Sequence, residues 1–125
     1  MSFALLIRDE WHLKGRCDMV HGNAVYEFKF VSDIEKARER GEYYLQLQFY
    51  IYAMRVEKGF LVLIDKNNFE IEFIEVGKDD YVAERLIEDA GYLIDCIESK
   101  TIPDKMSPRF LHECEYCNYS DICSL

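Results

Sequence analysis

Two acidic residues and a lysine have types and spacing suited to chemistry. Asp18 lies shortly before a Gly22-Asn23 pair, and Glu27 and Lys29 lie shortly after it. A Gly-Asn pair between two stretches of alternating polarity predicts a β-hairpin with a two-residue turn. In that register Asp18 faces Glu27, and Lys29 lies one step further along the same face. Adjacent carboxylates repel each other, so a divalent cation held between them would turn the repulsion into binding.

The same register makes predictions about the rest of the hairpin. Arg16 is expected to face Lys29, and the charged face has an alternative interpretation as a solvated ladder of opposite charges. The other face is predicted to belong to the core, with Cys17, Met19, Tyr26, Phe28 and Phe30 on it.

Hydrophobic periodicity predicts the elements that position these residues. Residues 42–57 are apolar almost all round, which indicates a buried helix, and 32–42 are predicted as a loop or short helix. Asp79 or Asp80 is expected to cap an amphipathic helix that runs to about Lys100. The fold class is therefore α/β (mixed α+β), a small mixed central β-sheet covered by helices. The predicted strands are 3–8, 11–20, 24–31, 60–65 and 69–76.

Length and charge limit the classes of function. The 125 residues carry 15 basic and 24 acidic side chains, a net charge of −9. We expect a single domain over 1–125, with no membrane segment and a cytoplasmic location. Phosphate binding depends on cations, so an acidic protein that binds nucleic acid needs a metal ion to supply positive charge. Lys36, Arg38 and Arg40 are interpreted as solvated charges that have an alternative role in guiding a nucleic-acid backbone.

Three short motifs, in order, carry a resemblance to a known family. They are Gly15-Arg16-Cys17-Asp18, Glu27-Phe28-Lys29 and Gln48-x-x-x-Tyr52. Together they resemble the PD-(D/E)XK nuclease superfamily and, within it, the RecB-type branch. The resemblance implies a restriction-endonuclease-like fold and hydrolysis of DNA, most simply by an exonuclease, with Mg²⁺ or Mn²⁺.

The resemblance also implies roles for individual residues. Asp18, Glu27 and the carbonyl of Phe28 would hold the metal ion. Lys29 would orient or deprotonate the attacking water, or stabilise charge in the transition state. Gln48 and Tyr52 would support this geometry or contact the nucleic acid.

A cysteine-rich tail over 103–125 provides a second set of candidate ligands. Cys114, Cys117 and Cys123 are spaced for metal binding. They resemble the C-terminal iron–sulfur motif of CRISPR-associated adaptation exonucleases, which implies a [4Fe–4S] cluster. A zinc site completed by His112 is the alternative. Cys17 is expected in the core, and Cys96 in the core or at the surface.

The sequence also departs from the family pattern. In the family a fourth cysteine and a metal-binding histidine precede the first strand, and His12 and His21 do not match that position. An alternative function is therefore a non-catalytic or truncated nuclease-fold module that binds nucleic acid or protein. The expected partners are DNA and proteins of a nucleic-acid-processing complex.

Overall fold

Four strands, two helices, two strands and a long helix follow one another in the computed structural model, which describes residues 1–103 and 114–123. The first half contains β1 (Ser2–Arg8), β2 (Trp11–Arg16), β3 (Met19–His21), β4 (Ala24–Val31), α1 (Ile34–Arg38) and α2 (Gly41–Met54). The second half contains β5 (Lys58–Asp65), β6 (Ile71–Gly77) and α3 (Asp80–Ser99). In the tail, a 3-10 helix (Cys114–Tyr116) precedes α4 (Ser120–Cys123).

The central sheet is mixed. Its four strands lie in the order β3-β4-β5-β6, and the β1–β2 hairpin forms a separate two-stranded sheet. Strands β4 and β5 are parallel, whereas the other two pairings are antiparallel. Parallel neighbours require a crossover, and here α1 and α2 provide it. The predicted fold class, a small mixed sheet covered by helices, is confirmed.

The predicted hairpin turn is confirmed. Gly22 has a φ of +59°, the left-handed region that glycine adopts without a steric penalty. The strands pair His21 with Ala24 and Met19 with Tyr26, in the predicted register.

The prediction of one continuous strand over 11–20 is wrong. Strand β2 pairs with β1, with Arg16 opposite Ser2, so Arg16 does not face Lys29. The backbone of Cys17 then bonds to Met1 in both directions, over 3.0 and 2.8 Å. The chain leaves one sheet and enters the other at Cys17 and Asp18, because the two halves of the alternating stretch have different partner strands.

Helix α2 covers the sheet face that carries Glu27. On this face the buried Leu61 and Leu63 of β5 join Leu47 and Ile51 of α2 in one hydrophobic core. The helix approaches closely at Gly59, where a Cβ would lie 2.8 Å from the Leu47 side chain.

The opposite sheet face is exposed at its aromatic residues, although Val62 of β5 is buried in its middle, which corrects the prediction that this face forms the core. Phe30 is 65% exposed, Phe73 on β6 is 60% exposed, and Met19 is also exposed. Tyr26 and Phe28 are half-buried on the same face. Cys17 alone of the predicted set is fully buried, because it lies outside the β3–β4 ladder.

Helix α3 closes the fold against α2 and β1. The Asp79 side chain accepts a hydrogen bond from Tyr81 N–H at its start, as predicted. It ends where Lys100 adopts a left-handed conformation, three residues before Pro103. Cys96 is buried near this end. In the parts of the chain described, no helix has the length and apolar character needed to cross a membrane.

Candidate functional site

Asp18 and Glu27 lie side by side at the end of the β3–β4 ladder. Asp18 lies in the bend before β3, and its Oδ2 accepts a hydrogen bond from Phe28 N–H over 2.9 Å. This bond holds Asp18 against β4 although the regular pairing ends at Met19. Each carboxyl group shifts the pKa of the other, as expected for two acids in close proximity. The predicted juxtaposition of Asp18 and Glu27 is therefore confirmed.

Burial separates the pKa values of the two acids. Glu27 is only 4% exposed, and its desolvation, together with the hydrogen bond and charge of Asp18, raises its pKa to about 8. The hydrogen bond from Glu27 lowers the pKa of Asp18, and Phe28 N–H and Lys29 lower it further. A carboxylate pair that shares one proton is the expected state when like charges are close together. The raised pKa of Glu27 predicts that, in the metal-free protein, a shared proton resides on Glu27.

Lys29 extends the site along β4. Glu27 and Lys29 are two residues apart on one strand and share a sheet face. The Lys29 Nζ donates a hydrogen bond to Gln46 Oε1 over 2.9 Å, and Gln46 Nε2 donates to the Tyr50 hydroxyl over 2.9 Å. Nζ also lies 5.2 Å from the centre of the Tyr43 ring. The ammonium group is thus held from α2 on two sides.

Tyr50 ends this chain of hydrogen bonds and lies within electrostatic reach of the carboxylates. The residue is buried, and desolvation is the main cause that raises the pKa of its hydroxyl. The hydrogen bond from Gln46 lowers that pKa, while the charges of Glu27 and Asp18 raise it. Gln46 and Tyr50 were not among the site residues predicted from the sequence.

Gln48, predicted to support the site, has other partners in the structure. It is 8% exposed, donates to the Gly77 carbonyl over 2.6 Å and accepts from Asp79 N–H over 2.9 Å. These bonds fasten α2 to the junction between β6 and α3. Two residues turn an α-helix by about 200°, so Gln48 points away from Lys29 when Gln46 points toward it. Tyr52 is half-buried, four residues after Gln48 on the same side of α2.

The chemistry of the carboxylate pair fits a hard divalent cation. Glu27 Oε2 is buried and has no hydrogen-bond partner among the described residues. Such an oxygen is costly unless something binds it, and carboxylate oxygens are ligands that Mg²⁺ and Mn²⁺ prefer. No third His, Cys, Asp or Glu joins the pair within residues 1–103 and 114–123.

The cysteine tail is described in part. The Cys117 side chain is exposed, and its Sγ accepts a hydrogen bond from Tyr119 N–H over 3.4 Å. Hydrogen bonds to sulfur are a feature of metal-bound thiolates. The side chains of Cys114 and Cys123, and the whole of His112, lie outside the described parts, so the predicted metal ligands of the tail stay a prediction.

Comparison with models of protein families shows which family this chain belongs to. Residues 1–124 match the model of the PD-(D/E)XK nuclease superfamily. The chain belongs to that superfamily. The resemblance to this superfamily is confirmed, and the adjacency of Asp18, Glu27 and Lys29 agrees with it.

Individual relatives of the PD-(D/E)XK chain agree with this placement. The CRISPR-associated exonuclease Cas4 of Saccharolobus solfataricus is 33% identical over 118 residues, which cover 90% of this chain and 52% of that protein. The crystal structure of SSO0001 has a TM-score of 0.69 at 29% identity, over 98% of this chain and 57% of the other. This chain therefore spans about half the length of these relatives.

The shared proton predicts how the stability of the metal-free protein depends on pH. Glu27 has a folded pKa of about 8 against 4.5 for an ordinary glutamate, so the folded state binds the additional proton between these values. We expect the free energy of unfolding to fall as pH rises through this window, because the unfolded chain releases the proton first. Asp18, whose pKa is lowered, loses its contribution only below about pH 4, so it does not oppose this trend. Urea unfolding in EDTA at several pH values measures the slope.

Substitution of Glu27 identifies the source of that slope. Glu27→Gln is neutral at every pH, so its stability relative to wild type should increase steadily as pH rises toward 8. Glu84→Gln removes an exposed carboxylate on α3 and should keep the wild-type slope. A wild-type slope in Glu27→Gln would contradict the assignment of the proton to Glu27.

Proposed function

We propose that this chain is a metal-dependent DNA nuclease that hydrolyses phosphodiester bonds as an exonuclease. The observation that carries the proposal is the contact between Asp18 and the buried Glu27, with Lys29 two residues along the same strand face. Membership of a nuclease superfamily supports it. The similarity to an exonuclease supports exonucleolytic action on DNA, and a CRISPR-associated relative supports protein partners in a nucleic-acid-processing complex.

Asp18 and Glu27, with the carbonyl of Phe28, would hold Mg²⁺ or Mn²⁺. Such an ion lowers the pKa of a bound water and neutralises phosphate oxygens. The chain's part is to hold the ligands in place. Phe28 N–H fixes Asp18 through one oxygen, and helix α2, which lies against β4, excludes water from Glu27. Both features keep the two carboxylates together despite their repulsion.

Lys29 is the group that would act on the water or on the developing negative charge. Gln46 accepts from its Nζ, and Tyr50 fixes Gln46 in turn. A positioned ammonium group can orient a water molecule, or stabilise charge on the phosphate, without moving during the reaction. Gln46 and Tyr50 are therefore positioning residues for Lys29.

The first test is cleavage of labelled linear DNA with Mg²⁺ or Mn²⁺. We expect wild type to shorten the DNA from its ends and EDTA to stop the reaction. Asp18→Ala and Glu27→Ala should have no detectable activity, because each removes a metal ligand. Lys29→Ala should lower kcat by about 10²–10⁴-fold, the range of a lost acid–base group.

Two control variants accompany this test. Glu84→Gln and Lys78→Ala remove exposed charges remote from Asp18 and should cleave like wild type. Equal cleavage by wild type and all three site variants would contradict the proposal. Metal-independent DNA binding without any cleavage would favour a non-catalytic nuclease-fold module.

Two neighbouring glutamines on α2 provide a second test. Gln46→Leu should lower kcat by about 10–100-fold, as expected for a positioning group behind the reacting side chain. Gln48→Leu should instead lower the free energy of unfolding by about 1–3 kcal/mol, since Gly77 C=O and Asp79 N–H lose their partner. Its kcat below the unfolding transition should stay near the wild-type value. The reverse result would restore the sequence-based assignment of Gln48 and Tyr52 to the site.

We also propose that Cys114, Cys117 and Cys123 bind a metal centre in the tail, a [4Fe–4S] cluster with Zn²⁺ as the alternative. The exposed Cys117 thiol with its N–H···S bond supports this. Anaerobic purification should give a brown protein with about four irons per chain, whereas a colourless protein with zinc would identify the alternative. Cys117→Ser should lose the metal, and Cys96→Ser, in the core, should keep it. A protein with neither metal would contradict the proposal.

A further inference from the structure

A groove with an excess of positive charge opens beside the candidate site. Its volume is about 290 Å³, and its lining includes the cations Lys36, Arg40 and Lys66 and one carboxylate, Asp33. We call it the basic groove. The chain as a whole has a net charge of −9, whereas the lining of the groove has three cations and one acid and is therefore positively charged. Negative ligands would therefore concentrate here.

Three elements hold the walls of the basic groove in place. Lys66 N–H donates to the Val31 carbonyl over 2.9 Å, and the Asn67 side chain donates to Ser32 O over 3.3 Å. These bonds fix the turn after β5 to the end of β4. Val31 and Ala37 are buried beneath the groove, so the end of β4 and helix α1 form a firm base for the Lys36 and Lys66 side chains.

Tyr43 connects the basic groove to the site. Its ring lines the groove and lies 5.2 Å from Lys29 Nζ on one side and 5.4 Å from the Arg40 guanidinium on the other. Along β4, Lys29 and Val31 are two residues apart, about 6.7 Å. A stacked nucleic-acid strand advances about 3.4 Å per phosphate. The groove is thus within a few nucleotides of a phosphate bound at the Lys29 end of the candidate site.

Some of the cations in and near the groove already form ion pairs with acidic side chains, and others do not. Arg40 is paired with Glu42 and Arg38, nearby on α1, with Glu72. Lys36 and Lys66 are exposed and form no ion pair with another described residue. These two lysines are available to exchange water and counterions for phosphates.

We propose that the basic groove binds the phosphodiester backbone of the substrate strand beside the scissile phosphate, with Lys36 and Lys66 as its phosphate contacts. This inference rests on the proposed nuclease function and adds the path of the strand. The groove would supply positive charge for binding nucleic acid, which the rest of this acidic chain does not provide. Each lysine that neutralises a phosphate releases a counterion, so the contacts have a measurable dependence on salt.

The test compares wild type with the double variant Lys36→Ala/Lys66→Ala, using fluorescein-labelled oligothymidine. Anisotropy with Ca²⁺ gives affinity over a range of salt, and cleavage with Mn²⁺ gives KM and kcat. We expect the double variant to bind about tenfold more weakly at low salt. The slope of log affinity against log salt should fall by about 1.4, at about 0.7 per lost single-strand contact. KM should rise with kcat unchanged.

A matched control removes the same kind of charge from another place. Lys78 is exposed beyond the end of β6, at the opposite end of the β5–β6 ladder from Lys66, and Lys78→Ala should keep the wild-type affinity, slope and KM. Wild-type affinity and slope in the double variant, with cleavage intact, would overturn this inference alone. A wild-type protein that neither binds nor cleaves would overturn the proposed function and this inference with it.

Discussion

The contact between a buried and a partly solvated carboxyl group is the constraint on which the site depends. Glu27 is buried against α2, and Asp18 comes to it from the bend before β3, held by Phe28 N–H. Two acids at such a distance are unfavourable unless a proton or a cation lies between them. Burial and the neighbouring Asp18 raise the pKa of Glu27 to about 8, and Glu27 Oε2 is left without a hydrogen bond among the described residues. Because this buried oxygen lacks a hydrogen-bond partner, a divalent ion bound between the two carboxylates would stabilise it.

The carboxylate pair was predictable from sequence because the hairpin is local. Gly22-Asn23 sets the turn, the turn sets the register, and the register brings Asp18 to Glu27. The break at Cys17 was not predictable in the same way. Residues 11–20 alternate throughout, and only the presence of β1 as a partner for β2 divides them. Alternation reports which side chains share a face but not which strand lies next to it.

Helix α2 was predictable as a helix, but its rotation about its own axis was not. Helix α2 contains two interleaved Gln-x-x-x-Tyr pairs, Gln46 with Tyr50 and Gln48 with Tyr52. A helix that is apolar all round has no polar face to fix its rotation about its own axis, so the sequence does not select between the pairs. The rotation is set by tertiary contacts, with Leu47 and Ile51 against Gly59 of β5. The aromatic face of β4 was predicted as core for a different reason: it carries Tyr26, Phe28 and Phe30, whereas the face that α2 covers carries the charged Glu27 and Lys29.

The site residues also come from one short part of the chain. Everything from Asp18 to Tyr50 belongs to the hairpin and to the crossover that follows it, and β5 completes the unit by pairing with β4. Strand β6 and helix α3 pack against this unit from outside. Lengthening or exchanging the segment after α3 would therefore leave the spacing of Asp18, Glu27 and Lys29 unaltered. The geometry of the candidate site is thus set by a unit of the chain that is complete before helix α3 begins.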